Sequence, residues 1–375
     1  MKAAVLLCLA LALMPLPALA MEQAVVEGIA QLDLEALEKA AEESGFVPGD
    51  VPSLLARLAS GQAVLSGSET LAWLTSRLSG VFERSLWRLT RLMAPALLVA
   101  VAQNLALGER AAVRAARAAG LVLVAAFLVS DLNEHVALVR QTVNDMAGIM
   151  QAVFPLLVTL LAAVGGTTSS AFYQPAVMAA AGSMTTLVEH VTLPFAVSVA
   201  TLTMVGALSD GLRVRRLCRL LRQVANWTLG LGFTVFIGVM TVQGLGSAAV
   251  DGVSIRTAKY AMDHFIPIVG GMFADTVDTL VGCSLLIHNA VGTLGLLMLL
   301  GALLLPLLRT ALTLLCYRAA GALLEPLGDE PLGRALGDYG DVFSLLFIIE
   351  LSVGAMFLLL VAQLMSVGNL TVMLR

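Results

Sequence analysis

Charged side chains are scarce in this chain. Only 13% of its 375 residues are Asp, Glu, Lys or Arg, whereas 59% are hydrophobic, and the mean hydropathy is +0.91. Soluble domains carry about 25% charged residues, so this scarcity excludes an ordinary soluble fold and predicts an integral membrane protein. The formal net charge of −4 argues against the strongly basic face that is typical of nucleic-acid binding proteins.

Catalytic and nucleotide-binding signatures are also missing. The sequence has no G-x-x-x-x-G-K-[ST] phosphate loop and no HExxH, CxxC or G-x-S-x-G motif. Any energy source must therefore be a partner or an ion gradient, and we expect no cofactor and no bound metal. The cysteines are few and lack metal-ligand spacing, which predicts small buried side chains for Cys8, Cys218, Cys283 and Cys316.

The N-terminus has the pattern of a secretory signal peptide over residues 1–20. Lys2 is followed by a short apolar run, a proline pair and an A-x-A sequence that ends at Ala20. Cleavage there would place the following residues on the non-cytoplasmic side. Residues 21–92 are the most polar part of the chain and have apolar residues at helical spacing, which predicts a small region of amphipathic helices outside the membrane. We expect Ser53 to cap one of them.

Apolar blocks dominate residues 93–375 and predict an all-α, polytopic membrane domain with about seven to eight spans. One of these blocks, 176–208, is long enough for one long span or two short ones. The predicted spans are residues 93–107, 118–131, 146–164, 176–208, 225–249, 265–291, 293–317 and 341–365.

Arginine sets the predicted orientation, because positively charged loops stay in the cytoplasm. We place the basic stretch 108–120 on that side. The mixed-charge stretch 131–145 fits a loop on the opposite side. A second cytoplasmic loop, whose secondary role would be docking of a partner, contains Arg213, Arg215, Arg216, Arg219 and Arg222.

The membrane domain carries a hint of duplication. Pro155 and Pro267 are 112 residues apart, as are Pro194 and Pro306, and similar residues surround each pair. The spacing allows two repeated halves, over residues 140–250 and 252–365, and chance matches in leucine-rich sequence remain the alternative. Duplicated halves that meet around broken helices are a recurrent membrane architecture.

The stretch "AMDHFIPIVGGMFADTVDTLVGCSLLIHNAVG" is unusually polar for its apolar surroundings. Pro267, the Gly270–Gly271 pair and an interruption at Gly282 predict a re-entrant or broken helix. Asp275 and Asp278 share a helix face that Thr279 adjoins. Such carboxylates serve either as an ion, proton or substrate relay, or as interfacial or hydrogen-bonded packing residues. For Asn289 and Gly292, helix packing is the favoured interpretation.

The longer stretch "RTAKYAMDHFIPIVGGMFADTVDTLVGCSLLIHNAVG" resembles the signature region of the stage III sporulation protein AE family of endospore-forming bacteria. The N-terminal pattern and the multispanning remainder agree with this family, so the resemblance covers essentially the whole chain. The matching positions are Lys259, Tyr260, Asp263, Pro267, Gly270, Asp275, Asp278, Thr279, Gly282, Cys283, Ser284, Asn289 and Gly292.

The resemblance implies a non-enzymatic role in the mother-cell membrane that faces the forespore. It implies membership of the eight-protein AA–AH complex, which connects with stage II sporulation protein Q and forms a secretion-like channel. The AA ATPase and membrane lipid are the expected partners, nucleic acid is not, and homo-oligomerisation stays open. The alternative is a secondary transporter or permease with Asp263, Asp275 and Asp278 around an intramembrane site.

Overall fold

The computed structural model describes residues 16–44, 50–62, 67–105, 110–208, 214–265, 270–324 and 330–374, and within them every regular element is a helix. The predicted all-α class is therefore confirmed. Three short helices come first, α1 (Leu16–Ala30), α2 (Glu35–Ser44) and α3 (Val51–Ala59). The longer ones follow as α4 (Gly67–Leu105), α5 (Arg110–Ala163), α6 (Thr167–Leu187), α7 (Leu193–Leu208), α8 (Arg215–Phe265), α9 (Gly270–Leu324) and α10 (Glu330–Met373).

Within the described residues, five helical stretches are long and apolar enough to cross a membrane: Arg114–Ala163, Thr167–Ala207, Arg215–Ala258, Thr276–Leu324 and Leu332–Met373. The chain is thus a helical membrane protein, and the predicted count of seven to eight spans is not confirmed by the five candidates in the described part. Part of the difference arises because the predicted span 93–107 is not among the candidates. In addition, helix α5 joins the predicted spans 118–131 and 146–164. Helix α9 likewise joins 293–317 to most of 265–291.

These helices are longer than a bilayer requires. At 1.5 Å per residue, the 54 residues of α5 extend about 80 Å, whereas the hydrocarbon core is about 30 Å thick. The stretch 131–145 lies inside α5 and is not the predicted loop. Its buried carboxylate, Asp131, meets partners on neighbouring helices, as described below.

Helices α1–α3 pack against the long helices. Val25, Leu37 and Leu55 belong to the same buried cluster as residues of α5 and α9. Helix α3 is capped by Asp50, whose side chain accepts a hydrogen bond from the backbone N–H of Ser53 at 3.4 Å. The predicted capping role of Ser53 is therefore wrong, because this residue lies in the first turn.

The boundaries predicted in the N-terminal third are untested. Helix α1 runs through Ala20 without a break, residues 1–15 lie outside the described part, and cleavage of a signal peptide stays a prediction. Helix α4 combines the predicted amphipathic helix before residue 93 with most of the predicted span 93–107.

Helices α9 and α10 form an antiparallel hairpin at the centre of the bundle. Asn289 contacts Asn369 at one end, and a Cβ atom on Gly321 would touch the backbone of Gly337 at the other. Helix α5 runs antiparallel to α9, and α8 runs parallel to α10. Two parallel helices begin at the same end of the bundle, and the first turn of α8 lies beside the third turn of α10, where Arg215 contacts Asp338.

A π-helical turn, Val188–Thr192, joins α6 to α7 without interrupting the helix. The Thr192 hydroxyl donates to the Leu187 carbonyl, five residues earlier, at 3.1 Å. Pro194 follows, and a proline ring would clash with the carbonyl four residues before it in a regular α-helix. The wider turn avoids this clash. Helix α6 packs mainly on α5 and α8, whereas α7 packs mainly on α10 and α8.

Candidate functional site

The polar segment singled out by the sequence occupies the end of α8 and the first half of α9. Lys259 and Asp263 lie in the last turns of α8, and Gly270 begins α9. Residues 266–269, with Pro267, lie outside the described part, as do the side chains of Lys259, Asp263 and Asp275. The break predicted at the proline therefore falls in an undescribed connection.

Helix α9 continues through Gly282 without interruption, so the break predicted there is wrong. A single glycine costs a helix only about 1 kcal/mol relative to alanine. Its apolar neighbours offset that cost, because Val281 and Cys283 are buried in the bundle. Ser284 is half-buried on the next turn.

The second half of the segment packs α9 against α10. The side-chain amides of Asn289 and Asn369 exchange two hydrogen bonds, of 3.1 and 3.4 Å. One turn on, a Cβ atom on Gly292 would lie 2.4 Å from Cγ of Met365. Both residues thus let the two helices approach closely and hold their register.

Asp278 is the one acidic residue of the predicted site whose side chain the structure describes, so the predicted site around Asp263, Asp275 and Asp278 stays a prediction. Asp278 and Thr279 are exposed on α9, and Tyr260 is 67% exposed on α8. No group of three His, Cys, Asp or Glu residues that could hold a metal ion occurs in the described part of the chain. The three described cysteines, Cys218, Cys283 and Cys316, are buried and free.

The basic stretch of the sequence contacts the acidic start of α10. Arg215 pairs with Asp338 at 3.1 Å and Arg222 with Asp341 at 2.7 Å. Arg216 is exposed, and Arg213 lies outside the described residues. Between α7, α8 and α10 these charges line a cleft of about 390 Å³, whose polar lining includes Thr203, Arg215, Arg219, Arg222, Arg334, Asp338 and Asp341.

A buried carboxylate that the sequence did not single out, Asp131, lies at the centre of a second polar cluster. Its Oδ1 is 2.8 Å from Arg91 and 3.3 Å from Nε of Arg88, and its Oδ2 accepts a 2.8 Å hydrogen bond from the Tyr317 hydroxyl. Arg88 also pairs with Glu134 at 3.0 Å. With its side chain only 2% exposed, Asp131 would be costly without these partners.

Three aromatic rings and a cysteine thiol pack around this cluster. The rings of Tyr317 and Phe343 stack with centroids 4.8 Å apart, and His135 meets Phe343 edge-on at 5.2 Å. The Cys316 thiol donates to the Ser85 carbonyl at 3.2 Å. The cluster thereby connects α4, α5, α9 and α10.

The sequence does contain a signal for this cluster. The buried stripe of α5 recurs every three or four residues, at Val124, Leu128, Asp131, His135, Val139, Thr142 and Met146. Asp131 and His135 therefore occupy core positions of an otherwise apolar stripe. The mixed charge of residues 131–145 predicts a loop instead, and for that reason the helical spacing of the buried positions is easily missed.

Asp251 of α8 explains the small-residue stretch "GGTTSS". Its two carboxylate oxygens accept hydrogen bonds from the backbone N–H groups of Thr168 and Ser169, both at 2.8 Å. Gly165 makes the preceding turn with φ of +101°, a conformation that favours glycine. An aspartate from a distant helix thus caps the start of α6.

Several buried polar atoms have no hydrogen-bond partner among the described residues, and those of Glu350 and His288 lie on the central helices α10 and α9. Both carboxyl oxygens of Glu350 on α10 are unpaired, and the neighbouring Thr310 hydroxyl forms no bond of ordinary geometry with them. Both ring nitrogens of His288 on α9 are unpaired as well.

Comparison with known proteins identifies relatives over most of the chain. The sequence profile described as stage III sporulation protein AE matches residues 50–368. Stage III sporulation protein AE of Bacillus subtilis (strain 168) is 33% identical over 243 residues, which are 64% of this chain and 61% of that protein. The alignment thus spans less than two thirds of that relative. No solved structure matches the chain.

Proposed function

Because the chain belongs to the stage III sporulation protein AE family, we propose that it is a non-enzymatic membrane subunit of the sporulation channel complex of proteins AA to AH. In this role it lies in the mother-cell membrane that faces the forespore and connects, through the complex, with stage II sporulation protein Q. The observation that carries the proposal is the family match over residues 50–368.

The architecture is compatible with such a subunit. Five candidate spans provide a multi-pass membrane anchor, and the arginine-rich end of the bundle belongs on the cytoplasmic side by the positive-inside rule. The sequence has no phosphate loop, so a partner must supply any ATP hydrolysis. The AA ATPase would dock on that cytoplasmic end, where Arg216 projects into solvent.

Purification of the tagged, full-length chain from sporulating cells after engulfment tests the proposal. We expect the AA–AH proteins to co-purify, and deletion of the protein to arrest development after engulfment. Arg216→Glu should reduce recovery of the ATPase and retain the membrane partners. Arg256→Glu is the matched control, since Arg256 is exposed near the opposite end of α8 and should not affect recovery.

Two other outcomes would refute the subunit role or favour the alternative function. Purification without any of these proteins, together with normal sporulation of the deletion strain, would refute the subunit role. Solute flux through vesicles that contain this protein alone would favour the transporter alternative. In that case, Asp275→Asn should abolish flux and preserve folding.

A further inference from the structure

One side of α5 is polar, although the helix contains a candidate membrane span. Between residues 132 and 163, no exposed position of α5 carries a large hydrophobic side chain. The exposed positions are polar or small, and they include Asn133, Gln141, Asn144 and Gln151. These four residues are three, seven or eight positions apart and therefore lie on one side of the helix. They form the polar face of α5.

Contacts with the central hairpin fix the level of the polar face in the bundle. Asp131 of α5 is hydrogen-bonded to Tyr317 of α9, whose ring stacks on Phe343 of α10. Near the other end of the face, a Cβ atom on Gly295 of α9 would touch the side chain of Val153. The stretch of α5 between these two contacts is about 33 Å long.

Helix α8 covers the same level on another side of the bundle. Arg222 pairs with Asp341, which lies within one turn of Phe343 on α10. Further along, a Cβ atom on Gly244 of α8 would meet the side chain of Val367. The stretch of α8 between these contacts is again about 33 Å long. The polar face of α5 and this part of α8 therefore lie side by side in height.

At this level, α8 exposes large apolar side chains. Trp227 is 70% exposed, Leu231 59%, Val235 63% and Val242 73%, and their spacing places them on one helix face. Such a face is suited to the hydrocarbon core of a bilayer, which is about 30 Å thick. A bilayer that covers it lies at the same height as the polar face of α5, which has no large apolar side chain for contact with lipid.

A cleft of about 650 Å³ opens beside the polar face, between α2, α5 and α9. The amide side chains of Gln141, Asn144 and Gln151 line it, and so does Arg309. Nε of Arg309 is buried and has no hydrogen-bond partner among the described residues. A buried donor without a partner is costly unless water reaches it. The cleft has room for many water molecules, each of which occupies about 30 Å³ in the liquid.

We propose that the polar face of α5 and the cleft beside it border a water-filled passage at membrane depth, which admits ions and small hydrophilic solutes. Polar groups at this depth are tolerated where protein or a water-filled cavity satisfies them. Water is the better match here, because the cores of protein interfaces are rich in aromatic residues and poor in charge. The polar face contains no aromatic residue, and the exposed Arg140 adjoins it.

This proposal deepens the proposed function and rests on it, because a channel subunit presents a hydrated surface inside the membrane. It names the surface of this chain that has that role. The face and the cleft lie on α2, α5 and α9, away from the arginine-rich start of α8, where the ATPase would dock.

Reaction of introduced cysteines with a charged, membrane-impermeant thiosulfonate tests the proposal. Gln141→Cys, Asn144→Cys and Gln151→Cys are made singly in the full-length protein, which replaces the native copy in sporulating cells. Open membrane fragments let the reagent reach both sides of the bilayer. Leu231→Cys and Val235→Cys, on the apolar face of α8, are the matched controls at the same level. The parent protein gives the background, and its three described cysteines are buried.

We expect the cysteines on α5 to react at least roughly ten-fold faster than those on α8. The reagent attacks the thiolate, which forms in water and is disfavoured in apolar surroundings. Each variant is compared with the parent for recovery in the membrane fraction. Three positions share the polar face, so the test does not depend on the folding of any one variant.

Two results would overturn the proposal. Slow reaction of the α5 cysteines in membranes would show that the face is covered, and fast reaction after solubilisation in detergent would identify a partner subunit as the cover. Equally fast reaction of the α5 and α8 cysteines would show that this level of the bundle lies outside the bilayer.

Co-purification tests the proposed function separately. Fast labelling of α5 without recovery of the AA–AH proteins would support the passage and refute membership of that complex. Recovery of those proteins with a covered α5 would refute only the passage.

Discussion

The Asp131 carboxylate accepts a hydrogen bond from the Tyr317 hydroxyl, 2.8 Å away and 186 residues further along the chain. The other carboxylate oxygen contacts Arg88 and Arg91, so the charge is balanced by α4 and the orientation is fixed by α9. Three helices therefore meet at one side chain. This contact makes the long polar interval of α5 a part of the core.

Removal of the Asp131 charge should destabilise the protein more than the replacement of Tyr317 or Glu134 does. Asp131→Asn retains the volume but leaves Arg88, only 14% exposed, without its buried counter-charge. We expect a loss of about 2–4 kcal/mol, reduced from the usual cost because Arg91 is 42% exposed and stays partly solvated. Thermal unfolding of the detergent-solubilised protein measures it.

Two variants calibrate this measurement. Tyr317→Phe should cost about 1 kcal/mol, the value of one hydrogen bond. Glu134→Gln should cost less than about 1 kcal/mol, since Glu134 is 61% exposed. If Asp131→Asn were no worse than Glu134→Gln, the cluster would contribute little to stability.

The Asp251 cap should control the local stability of the α6 N-terminus. Asp251→Ala removes the acceptor for two backbone N–H groups and should cost about 1–2 kcal/mol. The amide hydrogens of Thr168 and Ser169 should then exchange roughly ten-fold faster. Ser170→Ala is the control, because the Ser170 hydroxyl bonds only the Thr167 carbonyl. Unchanged exchange in Asp251→Ala would rule out the cap.

The close approach of α9 and α10 should depend on Gly321 but not on Gly337. A Cβ atom on Gly321 would lie 2.8 Å from the backbone oxygen of Gly333, which cannot move aside as a side chain can. Gly321→Ala should therefore cost about 1–3 kcal/mol. A Cβ atom on Gly337 meets nothing within 4 Å, and Gly337→Ala should raise stability by up to about 1 kcal/mol. Equal thermal midpoints for the two variants would contradict this packing.

Glu350 should be dispensable for stability. Its buried carboxyl oxygens have no hydrogen-bond partner among the described residues, so replacement removes a desolvation cost and no bond. We expect Glu350→Leu to leave the thermal midpoint unchanged or higher. Asp131→Leu, at an equally buried but fully partnered carboxylate, should lower it by several kcal/mol. A comparable loss in both variants would mean that Glu350 has a partner.

Composition and periodicity predicted the helical membrane class, because apolar content over long stretches decides it. They did not predict where helices end. The mixed charge of residues 131–145 predicts a loop, because an isolated carboxylate is costly at bilayer depth. Its real cost is offset by Arg88 and Arg91, and no local pattern specifies that they fold back onto Asp131.

The candidate site could likewise be predicted only in part. The arginines of the basic stretch are visible in the sequence, and their contact with Asp338 and Asp341 depends on α8 and α10 running parallel. Parallel packing of helices that are separated by another helix is a tertiary property. The charges could therefore be predicted, whereas the cleft between them could not.

The turn at Val188–Thr192 also bears on how the chain tolerates insertions. A π-helical turn holds one more residue than an α-helical turn, so it accommodates an inserted residue without breaking the helix. Each residue of an α-helix corresponds to about 100° of rotation. An insertion elsewhere in α6 or α7 would therefore rotate one helix relative to the other by roughly that angle. Deleting one residue from the π-helical turn would instead restore an α-helical turn without that rotation, at the cost of the Pro194 clash.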